Sequence, residues 1–180
     1  MDTKTLCLGV LYQGQASGYE IKKHFEEGAF GHIHETSFGA IYPALAKLAE
    51  EGSVECTELA QEKRPDKKVY SITPKGHTAL LAALMGPPEP DKVRSDILFI
   101  LYFAHLLPPP RVAELIDQRI AWYDACLARM RECEVDGRPA GKRFVHGLGL
   151  AVYSAAVRYL RERRETLLAE LDRSQLLVAE

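Results

Sequence analysis

The sequence predicts a mainly α-helical chain with one small β-hairpin. Its N-terminal region carries the hairpin, and its C-terminal region is all helix. Three observations predict this. Apolar residues recur at three-four spacing through most of the chain. Two short β-rich runs, "SVECTELAQ" and "KKVYSIT", flank the polar turn "EKRPD". A breaker, "GPPEP" at Gly86–Pro90, separates the two regions, so domains are expected at residues 1–86 and 91–180.

Composition narrows the class. The chain has 180 residues, 47% hydrophobic and 27% charged, enough to bury a core in one or two domains. The net charge of −2 does not advertise a polyanion partner, so the placement of charge matters more than its sum. Cys7, Cys56, Cys126 and Cys133 are scattered without a CxxC pair, which argues against a disulfide framework or a zinc site and fits a reducing compartment. The N-terminal "MDTKTLCLGVL" lacks the pattern of a signal peptide, and the most apolar run, Ile97–Leu107, is too short to span a bilayer. A cytoplasmic protein with no membrane partner is the expectation.

In order along the chain, Leu6, Val10 and Leu11 mark a short first helix that stops near Gly14. Ser17 and Glu20 form a capping box, in which each side chain reaches an orphan amide of the other's turn. It opens a second helix expected to end at Gly28. The third helix is "ETSFGAIYPALAKLAEEG", Glu35 to Gly52, with Gly52 as its stop. The hairpin follows. Thr73 and Pro74 place a cap and a first-turn proline at a fourth helix carrying Leu80, Leu81 and Leu84.

Beyond the breaker, Pro108–Pro110 and Asp136–Gly141 divide the C-terminal region into three long helical segments. The middle one carries Val112, Leu115, Ile116, Ile120, Tyr123, Leu127 and Met130 at helical spacing. The last, Lys142 to about Arg173, is apolar on more than one face, with a small-residue stripe at Gly147, Ala151 and Ala155. A long helix apolar on several sides must be covered. A second copy of the chain is the expected cover.

The third helix carries the candidate function. On a wheel of about 100° per residue, Phe38, Ile41, Leu45 and Leu48 face the core. Thr36, Gly39, Ala40, Pro43, Ala44 and Lys47 lie opposite, with Tyr42 at the edge and Ser37 at the N-terminal end. A helix in a DNA major groove needs few bulky groups where it enters. Lys47 can reach a phosphate, and the Tyr42 hydroxyl can donate to one. Pro43 removes one helical hydrogen bond and leaves the Gly39 carbonyl without its donor, while its flat ring keeps the face slim. The same face also suits packing against another helix. Its neighbours favour DNA: Lys22 and Lys23 on the second helix, and the hairpin tip "KRPDKK", Lys63–Lys68, with four cations to one anion. Arg64, Lys67 and Lys68 are its candidate contacts.

The runs "LCLGVLYQGQASGYEIKKHFEE", "SFGAIYPALAKLAEEGSVE" and "KKVYSITPKGHTAL" resemble, in order and spacing, the PadR family of winged-helix transcriptional regulators over about the first 85 residues. The remainder resembles the C-terminal dimerisation region of its longer members. The resemblance implies a winged helix-turn-helix domain followed by an antiparallel helical dimerisation domain. It implies a homodimer that binds a pseudo-palindromic operator, usually as a repressor. Tyr42 then matches the tyrosine of the family's YP pair, Lys47 its basic position, and Lys67 and Lys68 the basic residues before the second wing strand. Many members have a hydroxyl residue where this chain has Ala40, and this wing lacks their glycine-rich tip.

Other constellations compete. His32, His34 and Glu35, with His24 nearby, supply two or three metal ligands without a fourth, so polar loop residues or phosphate contacts are expected and no metal. Phe99, Phe103, Trp122 and Tyr153, with Tyr102, Tyr123 and Tyr159, could line a pocket for a small aromatic effector such as family members sense; aromatics at helical spacing also fill cores. Cys126 and Cys133 are seven apart on one helix face and could sense oxidation if exposed. There is no Gly-rich phosphate loop, G-x-S-x-G or H-E-x-x-H run, so neither an enzyme nor a cofactor is expected. The alternative reading is a winged-helix module that binds protein, its slim face docking another helix.

Overall fold

The computed structural model describes residues 1–26, 38–59, 67–91 and 94–178. The chain forms two compact units, Met1–Asp91 and Lys92–Glu180.

In the first unit, α1 (Thr3–Leu11) is capped by Asp2, whose carboxylate accepts from the Thr5 amide. A two-residue strand, β1 (Ala16–Ser17), leads directly into α2 (Gly18–Glu26). The capping box is formed: the Ser17 amide and hydroxyl both donate to Glu20, and the Glu20 amide donates to the Ser17 hydroxyl at 3.3 Å. The expected stop at Gly28 lies outside the described residues. α3 (Phe38–Glu50) ends where the sequence predicts. Gly52 adopts a φ of +68°, its amide donates to Ala49, and the Ser53 amide donates back to Leu48. This pair of bonds satisfies carbonyls that the helix end would orphan, and the left-handed backbone favours glycine.

The hairpin strands are β2 (Val54–Leu59) and β3 (Lys67–Ile72). They pair antiparallel from Val54 opposite Ile72 to Leu59 opposite Lys67. β1 adds to the other edge of β3, giving the order β1-β3-β2. Two residues carry no periodicity, so this third strand left no signal in the sequence. α4 (Pro74–Leu84) starts on a formed Thr73 cap, whose hydroxyl oxygen accepts from the Gly76 amide.

The core of this unit is built from Cys7, Leu8, Val10 and Leu11 of α1, Ile21 and Phe25 of α2, and Ile41, Leu45 and Leu48 of α3. Val54 and Leu80 close it from β2 and α4, whereas Leu81 and Leu84 are exposed. Burial pushes the Cys7 thiol pKa up to about 12, leaving it an inert apolar filler.

The described elements of the second unit are all helices, joined by short turns. α5 (Asp96–Tyr102) is shorter than the long segment expected: it ends at Phe103 and passes into a 3-10 turn, Ala104–Leu106. α6 (Pro109–Glu132) opens on the proline run, where the missing amides would lack partners anyway. α7 (Ala140–Val178) outruns its predicted span at both ends. Asp117 and Asp124 of α6 pair with Arg164 and Arg161 of α7, and the Met130 carbonyl meets His146. Rising numbers on one helix meet falling numbers on the other, so the pair is antiparallel. Val112, Ile116 and Leu171 form its core with Ala104, joined by Leu101, Ile120 and Leu160. Gly147, Ala151 and Ala155 are exposed; Gly149 is the glycine that faces α6, against Met130.

Gly76 sits where the first turn of α4 crosses the start of β2. A Cβ there would overlap the Ser53 carbonyl oxygen and crowd Ile72. A backbone carbonyl cannot swing aside as a side chain can. Gly76→Ala is therefore expected to destabilise the protein by about 3 kcal/mol or more. A urea titration that leaves the midpoint unchanged would contradict this packing.

Candidate nucleic-acid interface

Burial divides α3 into two faces. Ile41, Leu45 and Leu48 are at most 2% exposed and point into the core against α1 and α2. Gly39, Pro43 and Lys47 are exposed on the opposite side, one helical repeat apart, and Tyr42 is 59% exposed at the edge. Ala40 is half-buried.

Ala44 departs from the expectation. The helical wheel puts it on the slim outer face, yet it is 8% exposed and belongs to the core. Four residues before Leu48, it leans onto the same stripe, and the inner face is wide enough to take it. Two residues of the outer face went unremarked in the sequence: Ala46 and Glu50 are exposed. They lie seven and eleven positions after Gly39, so the same wheel places them on its side. The carboxylate of Glu50 opposes phosphate at the C-terminal end, which leaves the small-residue half as the end suited to a polyanion. Thr36 and Ser37 lie outside the described residues.

The flanking cations are not equivalent. On α2, Ile21 and Phe25 are buried, Lys23 is exposed, and Lys22 is half-buried with its ammonium 3.5 Å from Glu26. Lys67, expected as a phosphate contact, is committed elsewhere. Its ammonium donates to Glu20 Oε1 at 2.9 Å. The sheet register explains this. Ser17 pairs with Val69, and Lys67 lies two residues along β3 on the same face, so it points back toward the start of α2. Lys68 is more available: its pairing with Glu58 is longer, 3.4 Å, and both side chains are well exposed. Arg64 and the rest of the hairpin tip lie outside the described residues.

Glu20 is the hinge of this arrangement. The hydrogen bond from Lys67, then those from the Ser17 amide and hydroxyl, hold its carboxyl at about 2, down from an ordinary 4.5. One carboxylate thus caps α2 and ties it to the first residue of β3.

A helix with a slim exposed face, a buried opposite face and a β-hairpin beside it is the geometry of a winged helix. The comparisons with known proteins agree. The model of the transcriptional regulator PadR-like family matches residues 7–82. A crystal structure of a PadR-like transcriptional regulator from Bacillus cereus is 32% identical, with a TM-score of 0.78, over 94% of this chain and 99% of that one. The chain belongs to the PadR-like family of transcriptional regulators. The negative transcriptional regulator PadR of Bacillus subtilis is 29% identical over 129 residues, 71% of this chain and 70% of that protein. Its crystal structure in complex with operator DNA aligns at a TM-score of 0.70 and 25% identity, covering 93% of this chain and 98% of that one. The same protein has been crystallised in complex with p-coumaric acid, with a TM-score of 0.63 at 25% identity over 94% of this chain and 98% of that one.

The other sequence candidates fare differently. The expected aromatic set falls into two groups of ring contacts. Phe103 meets Phe99 and Tyr102, and the last two rings are largely exposed. Trp122, Tyr123 and Tyr153 form a triangle, with the Arg119 guanidinium over the first two rings. An open cleft beside that triangle, lined by Leu127, Arg131, Val157, Arg158 and Arg161 among others, includes none of Phe99, Phe103, Trp122 or Tyr153. Cys126 is buried and Cys133 is exposed beyond the last turn of α6, so the two do not share an exposed helix face. His32, His34 and Glu35 lie outside the described residues; among the described ones no three side chains are grouped to hold a metal. Among them, too, no helix is long and apolar enough to cross a membrane.

Because the carboxyl of Glu20 titrates lower in the folded chain, its contribution to stability is full above 4.5 and fades as pH falls toward 2. Glu20→Gln is expected to cost about 1 kcal/mol near neutral pH, the usual worth of a cap. The gap from wild type should narrow in acid, and chemical denaturation at pH 7 and pH 3 measures it. A gap of the same size at both pH values would contradict the charged form as the source.

Proposed function

We propose that this PadR-family regulator is a homodimeric repressor that binds a pseudo-palindromic operator, with α3 of each subunit in the major groove and the hairpin against the adjacent backbone. The observation that carries this reading is the exposed Gly39–Pro43–Lys47 face of α3, backed by a fully buried stripe. Tyr42 and Lys47 contact phosphate, with Lys23 and Lys68 flanking. Lys67 serves mainly as a strut. Sequence is read by close approach of the slim face and by duplex shape, since few long polar side chains project from it. Residues 1–91 act as the DNA-binding domain and the remainder as the dimerisation domain. The protein works in the cytoplasm and catalyses no reaction.

Dimerisation is supported by what the second unit leaves uncovered. Phe144, Leu148, Val152 and Tyr159 lie exposed along α7, in line with Ala151 and Ala155. α5 buries none of its residues. Apolar surface on this scale in one small unit marks an interface. A small aromatic effector that relieves repression is consistent with the exposed rings of α5, which a second subunit would help enclose, and with the p-coumaric acid complex of Bacillus subtilis PadR.

Binding to duplex from upstream of its own gene, followed by fluorescence anisotropy, tests the reading. Affinity should fall steeply with salt through counterion release. Lys47→Ala should weaken binding to every sequence about equally and reduce the salt slope by about one. A salt-independent interaction, or none, would favour the protein-docking alternative. The double variant Leu148→Glu/Val152→Glu alters only exposed positions, so the folded subunit should survive while sedimentation shifts from dimer to monomer. A variant that still sediments as a dimer would move the interface elsewhere.

A further inference from the structure

Gly18 begins α2 immediately after β1 and is buried. Its backbone does not call for glycine: among the described residues, the positive φ angles belong to Gly14, Gly52 and Gly137. What the position requires is space. A Cβ built there would lie 2.6 Å from Cε1 of Tyr42, 3.1 Å from Cζ and 3.2 Å from Cδ1. These are three consecutive atoms along one edge of the ring. The Tyr42 ring therefore rests on the bare α-carbon of Gly18, while more than half of its surface stays in solvent.

The surroundings of that seat are fixed. Ser17 is held by the capping box and by pairing with Val69, and Ala16 pairs with Tyr70. The Tyr42 hydroxyl is close enough to be felt by Tyr70, though burial and Cys56 affect Tyr70 more. The start of α2, which β3 holds through Ala16 and Ser17, thus meets the edge of α3 at the Tyr42 ring. A hydroxyl that must meet a phosphate oxygen binds better when its side chain is already ordered, because less rotamer entropy is lost on binding.

We propose that Gly18 is a positioning residue for DNA binding: the absence of its side chain seats the Tyr42 ring and presents the hydroxyl to the phosphate backbone. This rests on the reading of α3 as the docking helix. It explains why a glycine occupies a buried position whose backbone does not require one. It also separates Gly18 from Gly76. At Gly76 the missing Cβ faces backbone; at Gly18 it faces a side-chain ring that can rotate away. Gly18→Ala should leave the fold intact and displace Tyr42.

The test uses the full chain, labelled with 13C-tyrosine. The Tyr42 ring resonance, assigned by its loss in Tyr42→Phe, should move in Gly18→Ala while the tyrosines of the second unit stay in place. Operator affinity should drop about five-fold in Gly18→Ala, with thermal midpoint and helical signal near wild type. In a Tyr42→Ala background the same change should have almost no effect, because the coupled partner is gone. Tyr42→Phe, which keeps the seat and removes the hydroxyl, should bind about five-fold more weakly than wild type. An unmoved ring resonance, an equal loss in both backgrounds, a Gly18→Ala chain that cannot fold, or wild-type affinity in Tyr42→Phe each overturns this role while leaving DNA binding itself standing. Wild-type protein that binds no duplex overturns the proposed function and this role together.

Discussion

The burial of one stripe of α3 governs the rest of the first unit. Leu45 and Ile41 leave almost no surface to solvent, and Leu48 sits one turn farther along against the same core. A helix can rotate about its axis only by exchanging buried residues for exposed ones. Here rotation by one position would expose leucine and bury Pro43 or Lys47, at a cost of several kcal/mol. The outward face is thus set by the inward one. Its slimness follows from Gly39 and Pro43, and its charge gradient from Lys47 and Glu50.

A second level of order comes from Glu20. Capping alone would fix the start of α2, and a hairpin alone would leave the wing hinged at its base. Through Lys67 the same carboxylate joins the two. An exposed ion pair contributes little stability on its own. Its effect here is geometric: it ties the first residue of β3 to the start of α2. Lys67 is thus engaged with a carboxylate of its own chain. Which cations surround a helix and which of them are available are therefore different questions.

The two units handle apolar surface differently. The first encloses its core on every side with α1, α2, α3, α4 and the sheet. The second pairs α6 with α7 through a core and a rail of ion pairs, Asp117–Arg164 and Asp124–Arg161, and leaves one side of α7 and the Leu98, Phe99 and Tyr102 side chains of α5 exposed. The hydrogen bonds from Arg164 hold the Asp117 carboxyl below its usual range, so this pair keeps its charge further into acid than a free aspartate would. It fixes the antiparallel register of the pair. It leaves apolar side chains of α5 and α7 exposed.

Much of this was legible in the residues themselves. The capping box at Ser17 and Glu20, the stop at Gly52, the Thr73 cap and the hairpin strands are local features, set by bonds between neighbours in the chain. So were the inner stripe and the exposed Gly39, Pro43 and Lys47 of α3, because helical period alone sorts them. Tertiary structure decided what depends on residues distant in sequence. Ala44 went inward because α1 and α2 meet α3 over a wider arc than four apolar positions define. The strand at Ala16–Ser17 exists only because β3 offers it an edge. Lys67 became a strut because sheet register carries it to Glu20, forty-seven residues away. Gly18 gained its meaning from a ring on another helix. Local periodicity records which side of an element is buried; it does not record which distant group stands against it.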